Sequence, residues 1–283
     1  MNKEVVQKKI DIESVFRSKN PGMYRLLPGF VFSWLKRTIH EAEMNDFLSK
    51  NRDLRDVAFA QKILDYFGIA VEYQGLENIP RTGPVILVSN HPIGSVDALA
   101  LITTVARRRT DIKFLVNDIL MNLENLNGVF VPVNKHGKNP VVILREMETL
   151  YASDNLILIF PAGLVSRRKW GQVRDLEWKK SFVTKAKRTN RLIIPTYISG
   201  RNSGFFYNLG NFRKLLGIKA NIEMLFLVNE TFIQRNKTIT LIFGEPIISA
   251  RLSNRENDHI LAEKIKQHVY RMGESGQPLP FVG

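Results

Sequence analysis

The sequence has 283 residues and contains no cysteine. Disulfide bonds, zinc–thiolate sites, iron–sulfur clusters and a thiol nucleophile are therefore excluded. The lack of cysteine is compatible with a reducing, intracellular compartment. Histidine is also scarce, and its five positions share no metal-ligand spacing, so we expect no metal site and no bound cofactor. These positions are His40, His91, His136, His259 and His268.

Long apolar runs are missing as well. No stretch approaches the roughly 18–20 apolar residues that a membrane span requires, and residues 1–9 lack the apolar core of a secretory signal peptide. We therefore expect that the chain does not cross a bilayer. It also lacks a glycine-rich dinucleotide fingerprint, a P-loop, a His-Glu-x-x-His zinc motif and a Gly-x-Ser-x-Gly nucleophile elbow.

Acidic residues are few relative to basic ones. The chain has 27 Asp and Glu against 41 Lys and Arg, which gives a formal net charge of +14 and a pI of about 10.0. A strong positive charge predicts an anionic partner, which could be nucleic acid, a membrane surface or a phosphorylated substrate. Hydrophobic residues make up 44% of the chain, enough for an ordinary globular core.

Strand-like apolar runs alternate with helical patterns from residue 71 onwards. This alternation predicts an α/β fold with a mostly parallel central sheet flanked by helices. Before it, residues 30–41 and 45–67 are predicted to form an N-terminal helical hairpin. We therefore divide the chain into an N-terminal helical segment, residues 1–70, and an α/β domain, residues 71–283. The predicted strands are 71–75, 85–89, 112–116, 129–133, 156–160, 192–198, 223–228 and 238–243, and the predicted helices of the domain are 96–107, 140–152, 176–188 and 256–272.

The helix predicted at residues 30–41 carries Phe30 and Trp34 on one face and Lys36 and Arg37 on the other. Aromatic residues opposite basic ones are typical of a helix that lies in a membrane interface. The same apolar face is equally compatible with packing on the core of the domain. Both interpretations stay open at the level of the sequence.

The chain is organised around the strand at residues 85–89, which runs into Asn90-His91-Pro92 and a glycine-containing turn. Ligands favour the carboxyl edge of the strands in open α/β sheets, so His91 would stand where a substrate binds. Histidine can accept a proton near neutral pH, and Asp97, six positions later, could orient it. Alternatively, Asp97 only complements the dipole of the next helix, and His91 is a loop residue.

A second buried strand, residues 156–160, ends in Phe160-Pro161-Ala162-Gly163 and is followed by Arg167 and Arg168. Gly163 allows the backbone to approach a ligand, and guanidinium groups bind phosphate or carboxylate in bidentate fashion. Ten basic and two acidic residues lie between positions 167 and 191. Such a run is usually a solvated face, but its place after a strand end favours an anion site.

Two further strand ends carry polar residues or proline. The strand at 129–133 leads into Asn134 and Lys135. Lys135 could hold a phosphate, or it could be an ordinary lysine at a strand end. Pro195 lies inside the strand at 192–198, which predicts an edge strand or a bulge.

These motifs, in this order, resemble those of the glycerolipid acyltransferase superfamily, which includes lysophosphatidic acid acyltransferases. Asn90-His91 with Asp97 resembles its first motif, Asn-His-x-x-x-x-Asp, and residues 131–135 resemble its second. Residues 160–166 with Arg167 resemble the third, Phe-Pro-Glu-Gly-Thr-Arg-Ser, and Ile194-Pro195 the fourth. The resemblance covers about residues 70–245. It is strongest to a divergent bacterial branch, often labelled hemolysin-like, in which some members O-acylate lyso-aminolipids such as lyso-ornithine or lyso-glycine lipids.

The resemblance implies transfer of an acyl group from acyl carrier protein or coenzyme A to the hydroxyl of a lysolipid. The acceptor would be lysophosphatidic acid or a lyso-aminolipid. His91 would take the proton from the acceptor hydroxyl, and Asp97 would fix the imidazole. The implied substrate-binding residues are Asn134, Lys135, Phe160, Pro161, Gly163, Arg167 and Arg168.

The resemblance also implies a peripheral, monotopic protein on the cytoplasmic face of the inner membrane. Its partners would be membrane lipids, the lysolipid acceptor and the thioester donor. The implied membrane contacts are Phe30, Trp34, Lys36 and Arg37. The oligomeric state is not indicated by the sequence.

Three positions depart from the family pattern. Five residues separate His91 from Asp97 where the family usually has four, and Ala162 replaces the glutamate of the third motif. Asn134-Lys135 stands where the family has Asp-Arg. We expect Gly94 to absorb the extra residue, because glycine tolerates backbone conformations that keep the two side chains in contact.

Two other functional classes stay open. Ala162 and the altered spacing are compatible with a lipid-surface binding protein that has lost the chemistry. A nucleic-acid binder is prompted only by the charge, and the chain has no recognisable motif for it. We therefore expect no nucleic-acid partner.

Overall fold

The computed structural model describes residues 10–19, 21–133, 140–219, 221–252 and 255–282. Within them the chain forms eleven α-helices and ten β-strands. The helices are α1 (Ile12–Lys19), α2 (Pro21–Leu26), α3 (Gly29–Thr38), α4 (Glu41–Lys50), α5 (Asp56–Tyr66), α6 (Ser95–Val105), α7 (Pro140–Ala152), α8 (Ser181–Arg188), α9 (Gly204–Leu215), α10 (Leu227–Ile233) and α11 (Asp258–Ser275). The strands are β1 (Ala70–Gln74), β2 (Val85–Ser89), β3 (Ile112–Val116), β4 (Phe130–Pro132), β5 (Leu156–Ile159), β6 (Arg167–Lys169), β7 (Gln172–Arg174), β8 (Leu192–Ile198), β9 (Thr238–Phe243) and β10 (Ile247–Ile248).

The main sheet has the strand order β1-β9-β8-β2-β5-β3-β4, with β10 pairing with one end of β8. Each neighbouring pair along this order is parallel except β9 and β8. β2 is buried at all five residues, as expected for a central strand covered on both faces. The predicted α/β fold with a mostly parallel sheet, flanking helices and N-terminal helices is therefore confirmed.

The core of the sheet lies between β2 and the helices on either side. Alternate residues of β2, Ile86 and Val88, join the apolar cluster formed with α8 and α11. Successive strand residues point to opposite faces, so Val85 and Leu87 face the other way. α6 is buried along most of its length and packs against α5.

The chain divides into two compact units. One contains the chain up to Leu54 together with Ser203–Ile233, and the other contains Arg55–Asn202 together with Gln234–Gly283. The first unit is helical, and the second holds all the strands in the described residues. The predicted boundary between residues 70 and 71 is a division by sequence pattern and stays a prediction.

Within the helical unit, α3 and α4 follow one another across a two-residue connection. The ring of Trp34 lies 5.8 Å from that of Phe226, and His40 stacks on Phe232 at 3.6 Å. These ring contacts attach the later segment of the chain to the N-terminal helices.

The helix predicted at residues 45–67 is wrong as a single element. The structure has α4 and α5 there, separated at Asn51. The Asn51 backbone amide and its side-chain Nδ2 both donate to the Phe47 carbonyl, which closes the last turn of α4. The helix predicted at 176–188 is also too long, because α8 begins only at Ser181.

The strand predicted at residues 223–228 is wrong. A 3-10 turn, Ile222–Phe226, leads directly into α10 there. Glu223 is fully buried and accepts a hydrogen bond from Arg213 Nε of α9 at 2.6 Å. A short apolar run is equally compatible with a strand and with a buried helix. Here the buried ion pair with α9 holds Glu223 in the 3-10 turn.

Pro195 does not mark an edge strand, because β8 is hydrogen-bonded on both sides. On one side all five residues of β2 pair with residues 192–196 of β8. On the other side the partner changes: Leu192 and Ile193 pair with β10, and residues 196–198 pair with the end of β9. Pro195 lies between the residues that pair with β10 and those that pair with β9. Its missing amide donor therefore interrupts neither of these two ladders.

No helix in the described ranges is both long enough and apolar enough to cross a membrane.

Candidate active site

Three neighbouring parallel strands, β8, β2 and β5, end at the same edge of the sheet. The chain leaves β2 into Asn90-His91, leaves β5 into Phe160-Pro161, and leaves β8 into Ser199-Gly200. The sequence therefore predicted correctly that the polar and glycine-containing motifs lie after strand ends. The sheet order brings them together at one edge, where open α/β folds bind ligands.

His91 and Asp97 form a hydrogen-bonded pair. His91 Nδ1 lies 2.9 Å from Asp97 Oδ2, and the Asp97 side chain is completely buried while that of His91 is 17% exposed. Because Nδ1 faces the carboxylate, Nε2 is the ring nitrogen available to accept a proton. This is the arrangement of the base and its orienting acid in Ser-His-Asp sites.

The turn between these residues depends on Gly94. Its φ of 131° and ψ of −122° lie in a region that residues with a Cβ rarely adopt. With the turn in this conformation, the backbone amides of Ile93 and Gly94 both donate to Asp97 Oδ2 at 2.9 Å. The expectation that Gly94 absorbs the extra residue before Asp97 is confirmed.

Phe160 covers the imidazole. Its ring stacks on that of His91 with 3.8 Å between centroids and 13° between planes. Pro161 and Ala162 follow as buried residues, and Gly163 has a positive φ of 69° at an exposed turn. Lys179 approaches this turn: its backbone amide donates to the Pro161 carbonyl at 3.1 Å. A Cβ added at Gly163 would meet Lys179 Nζ at 3.5 Å.

Two contacts attach the His91 loop to β8. Asn90 is buried, and its side chain accepts from the Ile198 amide at 2.7 Å and donates to the Ile198 carbonyl at 2.8 Å. Gly200, with φ of 114°, packs so closely that a Cβ there would lie 2.6 Å from Ile93 Cδ1. The asparagine of the first motif therefore holds the loop in place.

A buried carboxylate behind His91 was not singled out from the sequence. Asp175 Oδ1 accepts from the His91 backbone amide at 3.2 Å and from Ser166 Oγ at 2.5 Å, while Trp178 Nε1 donates to Oδ2 at 2.9 Å. The Ser166 amide in turn donates to the His91 carbonyl at 2.7 Å. This network joins the first motif to the third. No local sequence pattern points to it, because its members lie far apart in the chain.

Burial dominates the electrostatics of this network. Desolvation raises the pKa of Asp175, although hydrogen bonds from Ser166 and Trp178 act in the opposite direction. The Asp175 amide donates to Tyr270 Oη at 2.7 Å. Burial likewise raises the pKa of Tyr270, so the phenol stays neutral.

The two arginines of the third motif differ in their surroundings. Arg167 is 4% exposed and donates from Nη1 to the Val165 carbonyl at 3.0 Å, whereas Arg168 is only partly buried. Both lie on β6, which forms an antiparallel hairpin with β7 that the sequence patterns did not predict. Their predicted contact with an anionic head group stays a prediction. Asn134 and Lys135 lie outside the described residues.

Much of the basic run after residue 167 serves the fold rather than a ligand. Arg191 is fully buried and donates to backbone carbonyls that include those of Tyr151 and Asn155. On α8, Lys185 pairs with Glu148 at 2.6 Å, and Lys187 pairs with Asp258 at 2.8 Å. These members of the run stabilise the fold, and an anion site among the other basic residues stays a prediction.

The helical unit exposes apolar side chains that the sequence predicted only in part. α3 buries Phe32 and Leu35 but leaves Phe30 73% and Trp34 46% exposed. Lys36 on the same helix pairs with Glu13 at 2.8 Å, and Arg37 is exposed. α3 therefore has a packed face and an exposed aromatic face. Packing on the fold is confirmed for Phe32 and Leu35, and the membrane contact of Phe30 and Trp34 stays a prediction.

α9, which was not predicted, has the same two-sided character. It buries Phe206 and Tyr207 but exposes Phe212 and Leu215, the latter 82% exposed. Ser203 marks its start, because its hydroxyl oxygen accepts from the Phe206 amide at 3.2 Å. This cap was the available sequence signal.

Comparison with known proteins places the chain in a family. The family model described as "Acyltransferase" matches residues 14–276. Two relatives are named lyso-glycine lipid O-acyltransferase, from Bacteroides thetaiotaomicron and Phocaeicola vulgatus. Each is 42% identical over 264 residues, which cover 93% of this chain and 97% and 95% of the respective relatives. Among solved structures, the 1-acyl-sn-glycerophosphate acyltransferase PlsC from Thermotoga maritima matches with a TM-score of 0.47 and 18% identity over 85% of this chain and 95% of its own. The chain belongs to the acyltransferase family.

Proposed function

We propose that this protein transfers a fatty acyl group from an acyl thioester to the hydroxyl group of a lysolipid. The observation that carries the proposal is the hydrogen-bonded pair of His91 and buried Asp97 at the carboxyl edge of the sheet. A pair of this kind can activate a hydroxyl without a nucleophile from the enzyme itself.

The proposed reaction begins when His91 Nε2 accepts the proton of the acceptor hydroxyl. The hydroxyl oxygen attacks the thioester carbonyl carbon, and a new C–O bond forms. Collapse of the tetrahedral intermediate breaks the C–S bond, and the leaving thiolate takes the proton back from His91. Asp97 stabilises the imidazolium between these steps, and Phe160 limits rotation of the ring by stacking on it.

The acceptor we favour is a lyso-aminolipid, in particular a lyso-glycine lipid. The 42% identity to two enzymes of that name over nearly their whole length supports this choice. Ala162 also replaces the glutamate of the glycerophosphate-type third motif. A glycine head group would present a carboxylate, for which Lys179 beside the Gly163 turn and Arg168 on β6 are suitable partners. The donor would be acyl carrier protein or acyl-coenzyme A as a co-substrate.

Acyl transfer assays test the catalytic proposal. Wild type, His91→Ala and His259→Ala would be compared with acyl carrier protein and coenzyme A thioesters, each with lyso-glycine lipid and lysophosphatidic acid. His259 is the matched control because it is an exposed histidine on α11. We expect His91→Ala to lose about 10²–10⁴-fold in kcat and His259→Ala to keep its activity.

Equal product from wild type and His91→Ala would refute His91 as the base. Binding of lysolipid without turnover in wild type would favour the non-catalytic lipid-binding alternative. Faster turnover of lysophosphatidic acid would keep the chemistry but overturn the proposed acceptor.

Peripheral membrane association, on the cytoplasmic face of the inner membrane, is the second part of the proposal. Soluble proteins rarely expose large apolar patches without a partner. The exposed aromatic face of α3 and the exposed apolar residues of α9 therefore support a lipid contact through the helical unit. The substrates that we propose also reside in the membrane.

Vesicle co-sedimentation tests this association. Phe30→Ala with Trp34→Ala, and separately Leu215→Ala, should weaken binding to anionic vesicles, because each change removes exposed apolar surface. Lys50→Ala is a control, since Lys50 is exposed but already paired with Asp46. Unchanged binding in both test variants would contradict the proposed contact.

A further inference from the structure

A β-hairpin, formed by β6 and β7, extends from the candidate active site. Lys169 pairs with Gln172, so Trp170 and Gly171 alone form its two-residue turn. Trp170 at this apex is 100% exposed, whereas Trp178 is buried and Trp34 is partly covered. An entirely exposed tryptophan contributes nothing to the core of the fold.

The turn itself does not call for tryptophan. Trp170 has a φ of 50° and Gly171 a φ of 79°, as in the type I′ turn that usually takes Asn-Gly. A bulky residue with positive φ is an uncommon and unfavourable choice. Backbone conformations of this kind cluster where a side chain has a function.

The charge around the apex is of one sign. The eight residues from Arg167 to Arg174 include four basic residues and no acidic residue. Lys169, next to Trp170, is exposed. Arg174 at the base pairs with Glu274 and lies over the ring of Tyr270, so its charge is partly balanced. An indole beside lysine and arginine is the combination found at membrane–water interfaces.

The hairpin is connected to the catalytic loop at both ends. β6 begins one residue after Ser166, whose amide donates to the His91 carbonyl, and β7 ends one residue before Asp175, which accepts from the His91 amide. Trp170 is four residues from Ser166, about 13 Å along an extended strand. An apex in the head-group layer would therefore keep His91 within reach of lipids at the surface.

We propose that the apex of this hairpin is a lipid-surface contact. The indole of Trp170 enters the interfacial layer of an anionic bilayer, and Lys169 lies against the lipid phosphates. The proposal rests on the proposed action on a membrane-resident lysolipid, but it is tested by measurements that do not need turnover.

Tryptophan fluorescence provides the first test. The chain has three tryptophans, so Trp34→Phe leaves Trp170 and the buried Trp178. On addition of vesicles containing phosphatidylglycerol with brominated acyl chains, the emission should shift to shorter wavelength and be quenched. The double variant with Trp34→Phe and Trp170→Phe gives the emission of Trp178 alone, which serves as the background. Emission from Trp170 that stays accessible to aqueous acrylamide on vesicle-bound protein would overturn the proposal.

Binding and turnover provide the second test. Trp170→Ala should weaken binding to anionic vesicles roughly tenfold. Lys169→Ala should weaken binding to anionic vesicles about fivefold and leave binding to neutral vesicles unchanged. Lys62→Ala is the matched control, because it also removes the charge of an exposed lysine, on α5. Both hairpin variants should keep wild-type kcat on a short-chain, monomeric lysolipid.

The outcomes separate this proposal from the proposed function. If wild type acylates no lysolipid but Trp170 is quenched by brominated lipid, the lipid contact stands and the proposed acyl transfer to a lysolipid is wrong. If the hairpin variants lose as much activity on the monomeric acceptor as on vesicles, the lipid contact is wrong. It is also wrong if they lose activity only with acyl carrier protein thioesters, because the hairpin would then bind that acidic partner.

Discussion

At the scale of the residue, His91 is held by three other side chains, two of which contact its imidazole. Asp97 forms a hydrogen bond with Nδ1, and Phe160 stacks on the ring. Asp175 accepts a hydrogen bond from the His91 backbone amide. The first two residues belong to motifs that the sequence displays. The third is visible only in the folded chain, because Asp175 lies 84 positions from His91.

Asp175 should act as a positioning residue. We expect Asp175→Asn to lower kcat by about tenfold to a hundredfold with little change in KM, since a displacement near 1 Å of a catalytic group has effects of this size. Ser166→Ala should give a smaller loss, because the Ser166 amide still donates to the His91 carbonyl. Steady-state kinetics across pH measures both variants.

Exposed Asp53 provides a control, since its side chain is 93% exposed. Asp53→Asn should match wild type. A purely structural role would instead lower the melting temperature of Asp175→Asn and leave kcat per folded molecule and the pH profile unchanged, which would contradict the positioning role.

His268 should make stability depend on pH. It is fully buried in α11, and desolvation, followed by the charge of Arg271, lowers its pKa to about 4. The unfolded state therefore binds a proton at higher pH than the folded state does, and the free energy of unfolding falls as pH drops from 6.5 towards 4. The shift corresponds to about 3 kcal/mol.

Urea unfolding at a series of pH values measures this dependence. His268→Gln should flatten the curve between pH 4 and 6.5, although it lowers stability at neutral pH. Replacement of exposed His259 should leave the slope unchanged. An equal slope in wild type and His268→Gln would show that His268 does not titrate in this way.

At the scale of the element, strand-end loops with positive φ build the site. Gly94 and Gly200 supply the conformations that bring the loops after β2 and β8 together. Strand positions and their motifs could be predicted because apolar runs bounded by Pro and Gly are local signals. The β6–β7 hairpin and α9 were missed, since basic residues and exposed aromatics give no periodic pattern of burial.

Gly94→Ala should abolish most activity. Alanine is strained at φ of 131°, so the turn would change and Asp97 would leave the imidazole. Gly83→Ala is the matched control, because Gly83 also has positive φ, 86°, with open space around its Cβ position. Each substitution should destabilise the fold by about 1–3 kcal/mol, measured by thermal unfolding, but only Gly94→Ala should lose kcat. Similar activity of the two variants would argue against the turn as the determinant of the His91–Asp97 pair.

At the scale of the whole molecule, two surface features bear on a possible partner: the net charge of +14 and the exposed apolar residues of the helical unit. In the proposed membrane association, the charge would attract the protein to an anionic surface, and the apolar side chains would supply a contact that salt does not screen. Neither feature alone identifies a membrane as the partner. Together with the acyltransferase family, they support an enzyme that works at a lipid surface.

Binding to anionic vesicles should therefore fall with salt but not vanish. Raising the ionic strength from 0.1 to 1 M shortens the Debye length from about 10 to about 3 Å, which screens exposed charges. Binding to anionic vesicles, measured by co-sedimentation, should fall to a level comparable to that on neutral vesicles. Salt-insensitive binding, or complete release at 1 M salt, would contradict this combination of forces.

By itself the sequence determined the fold class, the strand ends and the candidate pair of His91 and Asp97. These features depend on short-range patterns: alternating apolar segments, glycine and proline at turns, and residue types within a few positions of one another. Tertiary structure alone decided that Glu223 pairs with Arg213 instead of lying in a strand, that Asp175 holds His91, and that Trp170 is exposed at a hairpin apex. Burial and long-range hydrogen bonding arise only when distant segments pack, so no local pattern could have specified them.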